Sequence, residues 1–163
     1  MNEALQWASI AAVWVLLFGV LRQVGLMLPP SVRSKAHGGP EVGRRVPKRL
    51  LDEVRRVLPE KREIEGVVLA FVTASCRGCW HLLSNLRGFA ESTDVTVVLI
   101  VRSASGAFRE ALMEVGLPTI NDDRGDLWSA CRITETPLLV QIDLEGRVLA
   151  KEVTHRVEAL VRN

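Results

Sequence analysis

Two uninterrupted apolar runs constrain the fold of this 163-residue chain more than any other feature. They are VVLAFV at residues 67–72 and VTVVLIV at residues 95–101. A strand covered on one face alternates apolar and polar side chains, whereas a strand covered on both faces is apolar throughout. Between the two runs, apolar side chains recur at helical spacing, at Trp80, Leu83, Leu86 and Phe89. The sequence therefore predicts two central parallel strands joined by a helix.

The flanking segments predict the rest of an α/β sandwich. Apolar spacing favours helices at four further places, residues 47–58, 107–115, 126–132 and 154–161. Two final strands, LLVQID from Leu138 and RVLAKEV from Arg147, are joined by a turn so short that they must pair antiparallel. We therefore expect one domain over residues 46–163, with a mixed sheet between two layers of helices.

The N-terminal segment predicts a membrane anchor. Residues 4–21 carry no charge, and the apolar character resumes after Arg22 as far as Pro29 and Pro30. Such a stretch is long enough to cross a hydrocarbon core of roughly 30 Å. A cleaved signal peptide would have basic residues at its start, and none precedes Arg22. We expect a single transmembrane helix within residues 1–30, followed by a Gly- and Pro-rich linker over residues 31–45.

The charge distribution bears on partners and on orientation. Residues 45–163 carry 17 basic and 17 acidic side chains, and this neutral balance argues against nucleic acid as a partner. Basic residues follow the predicted span and none precedes it. By the positive-inside rule alone, the C-terminal domain would lie in the cytoplasm.

The chemistry concentrates at Cys76-Arg77-Gly78-Cys79, where the first buried strand ends and a helix begins. The positive end of a helix favours a thiolate at Cys76, and the charge of Arg77 should favour it further. Cys76 would attack a disulfide of a partner, and Cys79 would resolve the mixed disulfide. The cysteine pair is itself the redox group, so no organic cofactor is expected.

A C-x-x-C pair is also half of a zinc site, but the chain offers no second closely spaced pair. The remaining candidate ligands are scattered, at His37, His81, Cys131 and His155. No metal site is therefore expected. Cys131 reads as a small buried apolar residue, with a place near the redox site as the alternative. Trp80 could belong to the core or to the surroundings of that site.

Thr136-Pro137, directly before the strand LLVQID, completes a known pattern. With the strand, C-x-x-C and helix, residues 46–163 resemble the thioredoxin superfamily. The closer similarity is to membrane-anchored TlpA-like and MauD-like proteins, and it rests on residues 18–30, 69–79 and 136–151. The resemblance implies a thioredoxin-like sandwich with a cis bond at Thr136-Pro137. It further implies that Thr136, Pro137, Arg77 and Gly78 contact the substrate.

By the same resemblance, the function is thiol:disulfide exchange with a protein client that the chain reduces or matures. The domain would lie outside the cytoplasmic membrane and be anchored in the bilayer. A membrane electron donor of the thiol-transporter type would reduce its cysteine pair after each exchange. This orientation is opposite to the one that the positive-inside count gives. The alternative function is a non-enzymatic thioredoxin-fold module that docks on a membrane complex or delivers metal to it.

Overall fold

A computed structural model of the chain describes Trp7, Trp14 and residues 38–58, 66–92 and 95–156. The chain divides into two compact units, Met1–Ser34 and Lys35–Asn163. Of the predicted anchor only Trp7 and Trp14 are described, and both are helical. The rest of that prediction lies outside the described residues, and none of the helices described is long and apolar enough to span a bilayer.

The second unit contains the predicted order of strands and helices as far as the last strand, with one addition. Its elements are α1 (Lys48–Val57), β1 (Val67–Thr73), α2 (Arg77–Ser92), β2 (Thr96–Arg102), α3 (Gly106–Val115), β3 (Thr119–Asn121), α4 (Asp126–Ala130), β4 (Leu138–Ile142) and β5 (Val148–Val153). The strands form one sheet in the order β3-β2-β1-β4-β5. β1 pairs parallel with β2, and β4 pairs antiparallel with both β1 and β5. The predicted mixed sheet and its central parallel pair are confirmed.

The two apolar runs form strands that are covered on both faces. In β1, Val67, Leu69 and Phe71 belong to one core cluster, whereas the alternate residues Val68, Ala70 and Val72 belong to the other. The first cluster takes in apolar side chains of α1 and α4, and the second takes in those of α2 and α3. Because each face needs its own apolar side chains, neither run could alternate with polar residues. The result is the expected three-layer sandwich.

Part of the predicted linker lies against the domain. The backbone N–H of Gly43 donates to Val148 O at 2.8 Å, Val148 N–H donates to Arg44 O at 2.8 Å, and Val46 N–H donates to Gly146 O at 2.8 Å. Arg45 also forms an isolated antiparallel bridge with Arg147. Residues 43–46 thus pair with the backbone of residues 146–148, at the start of β5.

Two details differ from the sequence predictions. β3 was not expected, since the sequence around it predicts only turns. In this strand the middle residue, Ile120, is buried and its two neighbours are not. Of the predicted last helix, Thr154, His155 and Arg156 are described and are not helical. The remainder of that helix, residues 157–161, lies outside the described residues.

Candidate active site

Cys76 lies at the junction between β1 and α2. Its N–H donates to Thr73 O at 3.2 Å, and the N–H of Cys79 donates to Cys76 O at 3.1 Å. These two bonds turn the chain sharply from the end of the strand into the first turn of the helix. Cys76 is left partly exposed, while Cys79 points into the core beneath α2 and is 0% exposed. One thiol can therefore meet another molecule, and the other cannot.

The Thr136-Pro137 segment faces this junction, and its peptide bond is cis, as the resemblance implies. The Cys76 sulfhydryl donates a hydrogen bond to Thr136 O at 3.2 Å. Gly78 faces the Pro137 ring: a Cβ at Gly78 would lie 3.0 Å from Pro137 Cδ and 3.7 Å from Cys76 Sγ. The fold thus brings Cys76, Cys79, Gly78, Thr136 and Pro137 together, from parts of the chain about 60 residues apart.

The local environment lowers the pKa of Cys76. The largest influence is partial burial, which raises the pKa, but hydrogen bonding outweighs it. The groups that lower the pKa are the side chains of Thr136 and Cys79 and the backbone N–H groups of Cys79 and Gly78. Both backbone groups belong to the first turn of α2, as expected for a helix amino end. Arg77, whose charge the sequence suggested would contribute, is exposed and is not among these groups.

Cys79 behaves in the opposite way. Burial is the largest influence and raises its pKa to about 12. Interaction with Cys76, by hydrogen bond and by charge, raises it further, and hydrogen bonds with Thr73 and Thr136 oppose the rise. At neutral pH the pair therefore holds a thiolate-prone outer sulfur beside a protonated inner one.

Trp80 lies beside the site, which resolves the choice that its sequence position left open. Its indole Nε1–H donates to Ala74 O at 3.0 Å, within the turn that leads to Cys76. Its ring packs edge-on against Phe108 of α3, with centroids 5.0 Å apart. Trp80 thus anchors the turn before Cys76 and leaves 38% of its surface exposed.

Cys131 lies on the other face of the sheet. It belongs to the core cluster with Phe71 and Trp128, and it is 2% exposed. Burial raises its pKa to about 12, helped by the charge of Asp122. It therefore fits the buried apolar role. Among the described residues, no group of three or more His, Cys, Asp or Glu side chains is arranged to hold a metal; His81 and His155 are exposed, and His37 is not described.

A cleft of about 580 Å³ opens next to Thr136, and sequence reasoning missed it. It is lined by Thr73, Ala74, Ser75, Arg102, Ser103, Trp128, Ile133, Thr134 and Thr136. Arg102 is paired with Thr73 across the two central parallel strands. Since parallel strands end at a common edge, where such sheets tend to bind ligands, the C-terminal position of Arg102 on its strand was a usable signal.

No family model matches the chain. It is 26% identical to the methylamine utilization protein MauD of Methylophilus methylotrophus, in a match that covers 92% of this chain and 75% of the relative. It is 27% identical to the MauD of Methylobacillus flagellatus, over 92% of this chain and 77% of that one. The thioredoxin domain of a thiol-disulfide oxidoreductase from Bacteroides vulgatus has the same fold, with a TM-score of 0.53 and 18% identity over 70% of this chain and 89% of that one.

Proposed function

Because the chain is a MauD-like member of the thioredoxin superfamily of thiol:disulfide oxidoreductases, we propose that its Cys76 and Cys79 reduce or mature a disulfide in a protein client. One observation carries the proposal: a partly exposed sulfur of lowered pKa lies against Thr136-Pro137, with a second, buried thiol one helical turn further on. The dithiol supplies the two electrons, so the exchange itself uses no organic cofactor.

In the first step the Cys76 thiolate attacks one sulfur of the client disulfide. A bond forms between Cys76 Sγ and that sulfur, the client S–S bond breaks, and the other client sulfur leaves as a thiolate that takes up a proton. The partial exposure of Cys76 gives the client access. The lowered pKa provides the reactive form near neutral pH.

In the second step Cys79 loses its proton and attacks Cys76 Sγ. The Cys76–Cys79 disulfide forms, the mixed disulfide breaks, and the second client sulfur leaves as a thiol. Burial is the main reason that Cys79 holds its proton, and interaction with Cys76 adds to it. That second contribution disappears once Cys76 is bound to the client, because its sulfur then carries no charge. Cys79 therefore loses its proton more readily once the mixed disulfide has formed.

The residues around the sulfur position the client. The backbone of Thr136 is directed at Cys76, with its carbonyl 3.2 Å from Sγ. The Pro137 ring fills the space above Gly78, where a Cβ would come within 3.0 Å of Pro137 Cδ. Arg77 is exposed at the start of α2 and would contact the client as it arrives. These four residues are the substrate-binding residues of the proposal.

The proposal includes a tether in the cytoplasmic membrane. Residues 1–30 would form a single transmembrane anchor in the lipid bilayer, residues 31–45 a connection, and residues 46–163 the redox domain, which lies outside the cytoplasm. A membrane electron donor of the thiol-transporter type would return the pair to the dithiol form. The uncharged residues 4–21 support the anchor. The basic residues after the span favour the opposite orientation, so orientation requires its own test.

Trapping the mixed disulfide tests the function. Cys79→Ser, made in a Cys131→Ala background, removes the resolving thiol together with Cys131, the cysteine outside the motif. We expect the full-length variant to accumulate a client linked through Cys76, seen as a reducible mass increase on non-reducing gels of membranes. Cys76→Ser in the same background is the matched control and should trap nothing. Unchanged partner binding with no trapped species would instead support the non-enzymatic docking module.

Orientation is tested in intact cells with a membrane-impermeant maleimide, before and after mild reduction. Labelling of Cys76 in intact cells is expected if the domain lies outside the cytoplasm. Labelling without prior reduction would also show a pair that is kept reduced in an oxidising space. Labelling that requires lysis would overturn the extracytoplasmic location and leave the exchange chemistry to be judged by the trapping experiment.

A further inference from the structure

The cleft beside Thr136 adjoins the residues that flank the reactive Cys76. Two of its lining residues are direct neighbours of Cys76: Ser75 precedes it in the chain, and Thr136 accepts its hydrogen bond. Hydroxyl groups and backbone form much of the remaining wall, and Ala74, Trp128 and Ile133 supply apolar surface. A polypeptide bound through its cysteine at Cys76 would therefore place neighbouring residues in this cleft.

Among the described residues that line the cleft, Arg102 is the only charged one. Its guanidinium lies over Gly125, where a Cβ would come within 3.3 Å of both Cζ and Nε. Gly125 has φ +73, which suits glycine and leaves this face of the turn open. The end of β2 fixes the backbone of Arg102, and Gly125 provides room for its side chain, so the cation has a defined place in the cleft.

Nearby carboxylates leave Arg102 available. Asp122 lies beside the end of β2, where its N–H donates to Val101 O. Its carboxylate, however, is buried and accepts from Trp128 N–H at 2.8 Å. Asp126 pairs with Arg49. Among the described residues, none of the ion pairs or side-chain hydrogen bonds uses the Arg102 guanidinium. Arg102 thus lines the cleft, and among the described residues no carboxylate is bound to any of the five donors of its guanidinium.

We propose that this cleft binds the client segment next to the client's reactive cysteine, and that Arg102 selects clients with an Asp or Glu side chain there. The inference rests on the proposed function, since it assigns a chemical class to the client of the same site. A guanidinium holds a carboxylate through two parallel hydrogen bonds, a geometry that an amide of the same shape cannot match. An acidic client segment is therefore preferred over its neutral isostere.

The test is a single-turnover reaction of the reduced full-length chain with two peptide disulfides. The peptides are identical except for Glu or Gln near the reactive cysteine, with that position varied over the few residues on either side. We expect the Glu peptide to be reduced on the order of tenfold faster at low ionic strength, with the difference shrinking as salt is added. Arg102→Gln should abolish the preference, and Arg102→Glu should reverse it.

Two controls separate this inference from the proposed function. Arg109→Gln removes the same charge from an exposed position on α3 that does not line the cleft, and it should keep the preference. A small uncharged disulfide should be reduced at equal rates by the wild type and by Arg109→Gln, which checks that the exchange chemistry is intact in the control variant. A preference for Glu that survives in Arg102→Gln overturns the role of Arg102, as does the absence of any preference in the wild type. Failure of the wild type to reduce any of the disulfides overturns the proposed function and this inference with it.

Discussion

The two sulfurs of the motif should differ sharply in reactivity toward a small alkylating reagent. The pKa of Cys79 is raised to about 12, while that of Cys76 lies below the ordinary value of 9.0, so the two differ by more than 3 units. At pH 7 the thiolate fraction of Cys76 then exceeds that of Cys79 by at least about a thousandfold. A thiolate of lower pKa is intrinsically less nucleophilic, which reduces the rate advantage of Cys76 by a factor of about 15 to 30. Cys76 should therefore react at least about thirtyfold faster, and the full burial of Cys79 widens the difference.

The sequence makes the assay direct, because trypsin separates all three cysteines. Cleavage after Arg77 puts Cys76 and Cys79 on different peptides, and Cys131 lies on a third that ends at Arg132. The reduced chain is treated briefly with substoichiometric iodoacetamide, quenched in acid, digested and quantified by mass spectrometry. Repeating the pulse from pH 5 to pH 9.5 gives the titration of each thiol. The Cys76 rate should reach half its maximum below pH 9.0.

Cys131 is the internal control, since burial also raises its pKa to about 12 at a place remote from the motif. It should remain as unreactive as Cys79 in the folded chain. In guanidinium chloride all three cysteines should label at similar rates, which excludes a difference due to peptide detection. Comparable labelling of Cys76 and Cys79 in the folded chain, or a Cys76 midpoint at or above pH 9.0, would refute the environment derived for the site.

Two further predictions concern the closest contact at the site and the second buried thiol. Gly78→Ala places a methyl group 3.0 Å from Pro137 Cδ and 3.7 Å from Cys76 Sγ, so kcat/KM for a protein client should fall on the order of tenfold, with much less effect on a small disulfide. Equal kinetics on both substrates would contradict this crowding. For Cys131, the folded pKa of about 12 lies above the unfolded value of 9.0, so its contribution to stability is complete below pH 9 and declines as pH rises toward 12. The free energy of unfolding of the reduced wild type, measured in urea, should therefore fall by about 1.4 kcal/mol per pH unit more than that of Cys131→Ala across this window. Parallel pH profiles of the two proteins would show that the thiol is not held protonated.

The sequence predicts the centre of this fold well because its two central strands are apolar along nearly their whole length. Strands buried on both faces need apolar residues at nearly every position. Val67–Thr73 and Thr96–Arg102 can therefore be predicted as strands from their own residues alone. The position of Cys76 follows in turn, because a motif directly after such a strand must lie at the edge of the sheet. The cis bond before Pro137 came from family resemblance, and no local pattern requires it.

What the sequence does not predict depends on contacts between distant segments. β3 has three residues with only Ile120 buried, so it carries no periodic signal and exists because β2 offers it a parallel edge. Trp80 lies beside the motif because Ala74 accepts its N–H and Phe108 packs on its ring, and that partner is 28 positions away in the sequence. Glycine and proline within residues 38–45 predict a linker, yet Gly43 and Arg44 bind Val148 of β5 through backbone groups, which composition does not encode.

The loop that carries Thr136 and Pro137 shows how such distant contacts could control the chemistry. The loop has no regular structure of its own, and its start is held from the side opposite the motif: Gly39 N–H donates to Arg132 O at 2.8 Å, and a Cβ at Gly38 would collide with the Thr134 hydroxyl. Two residues further on, the Thr136 carbonyl accepts the hydrogen bond of Cys76, and the Thr136 side chain helps to lower the pKa of that thiol. A shift of the loop would therefore change both the client-binding surface and the thiolate population. Residues 38 and 39 therefore contact the segment that leads to Thr136, although neither is among the groups that lower the pKa of Cys76.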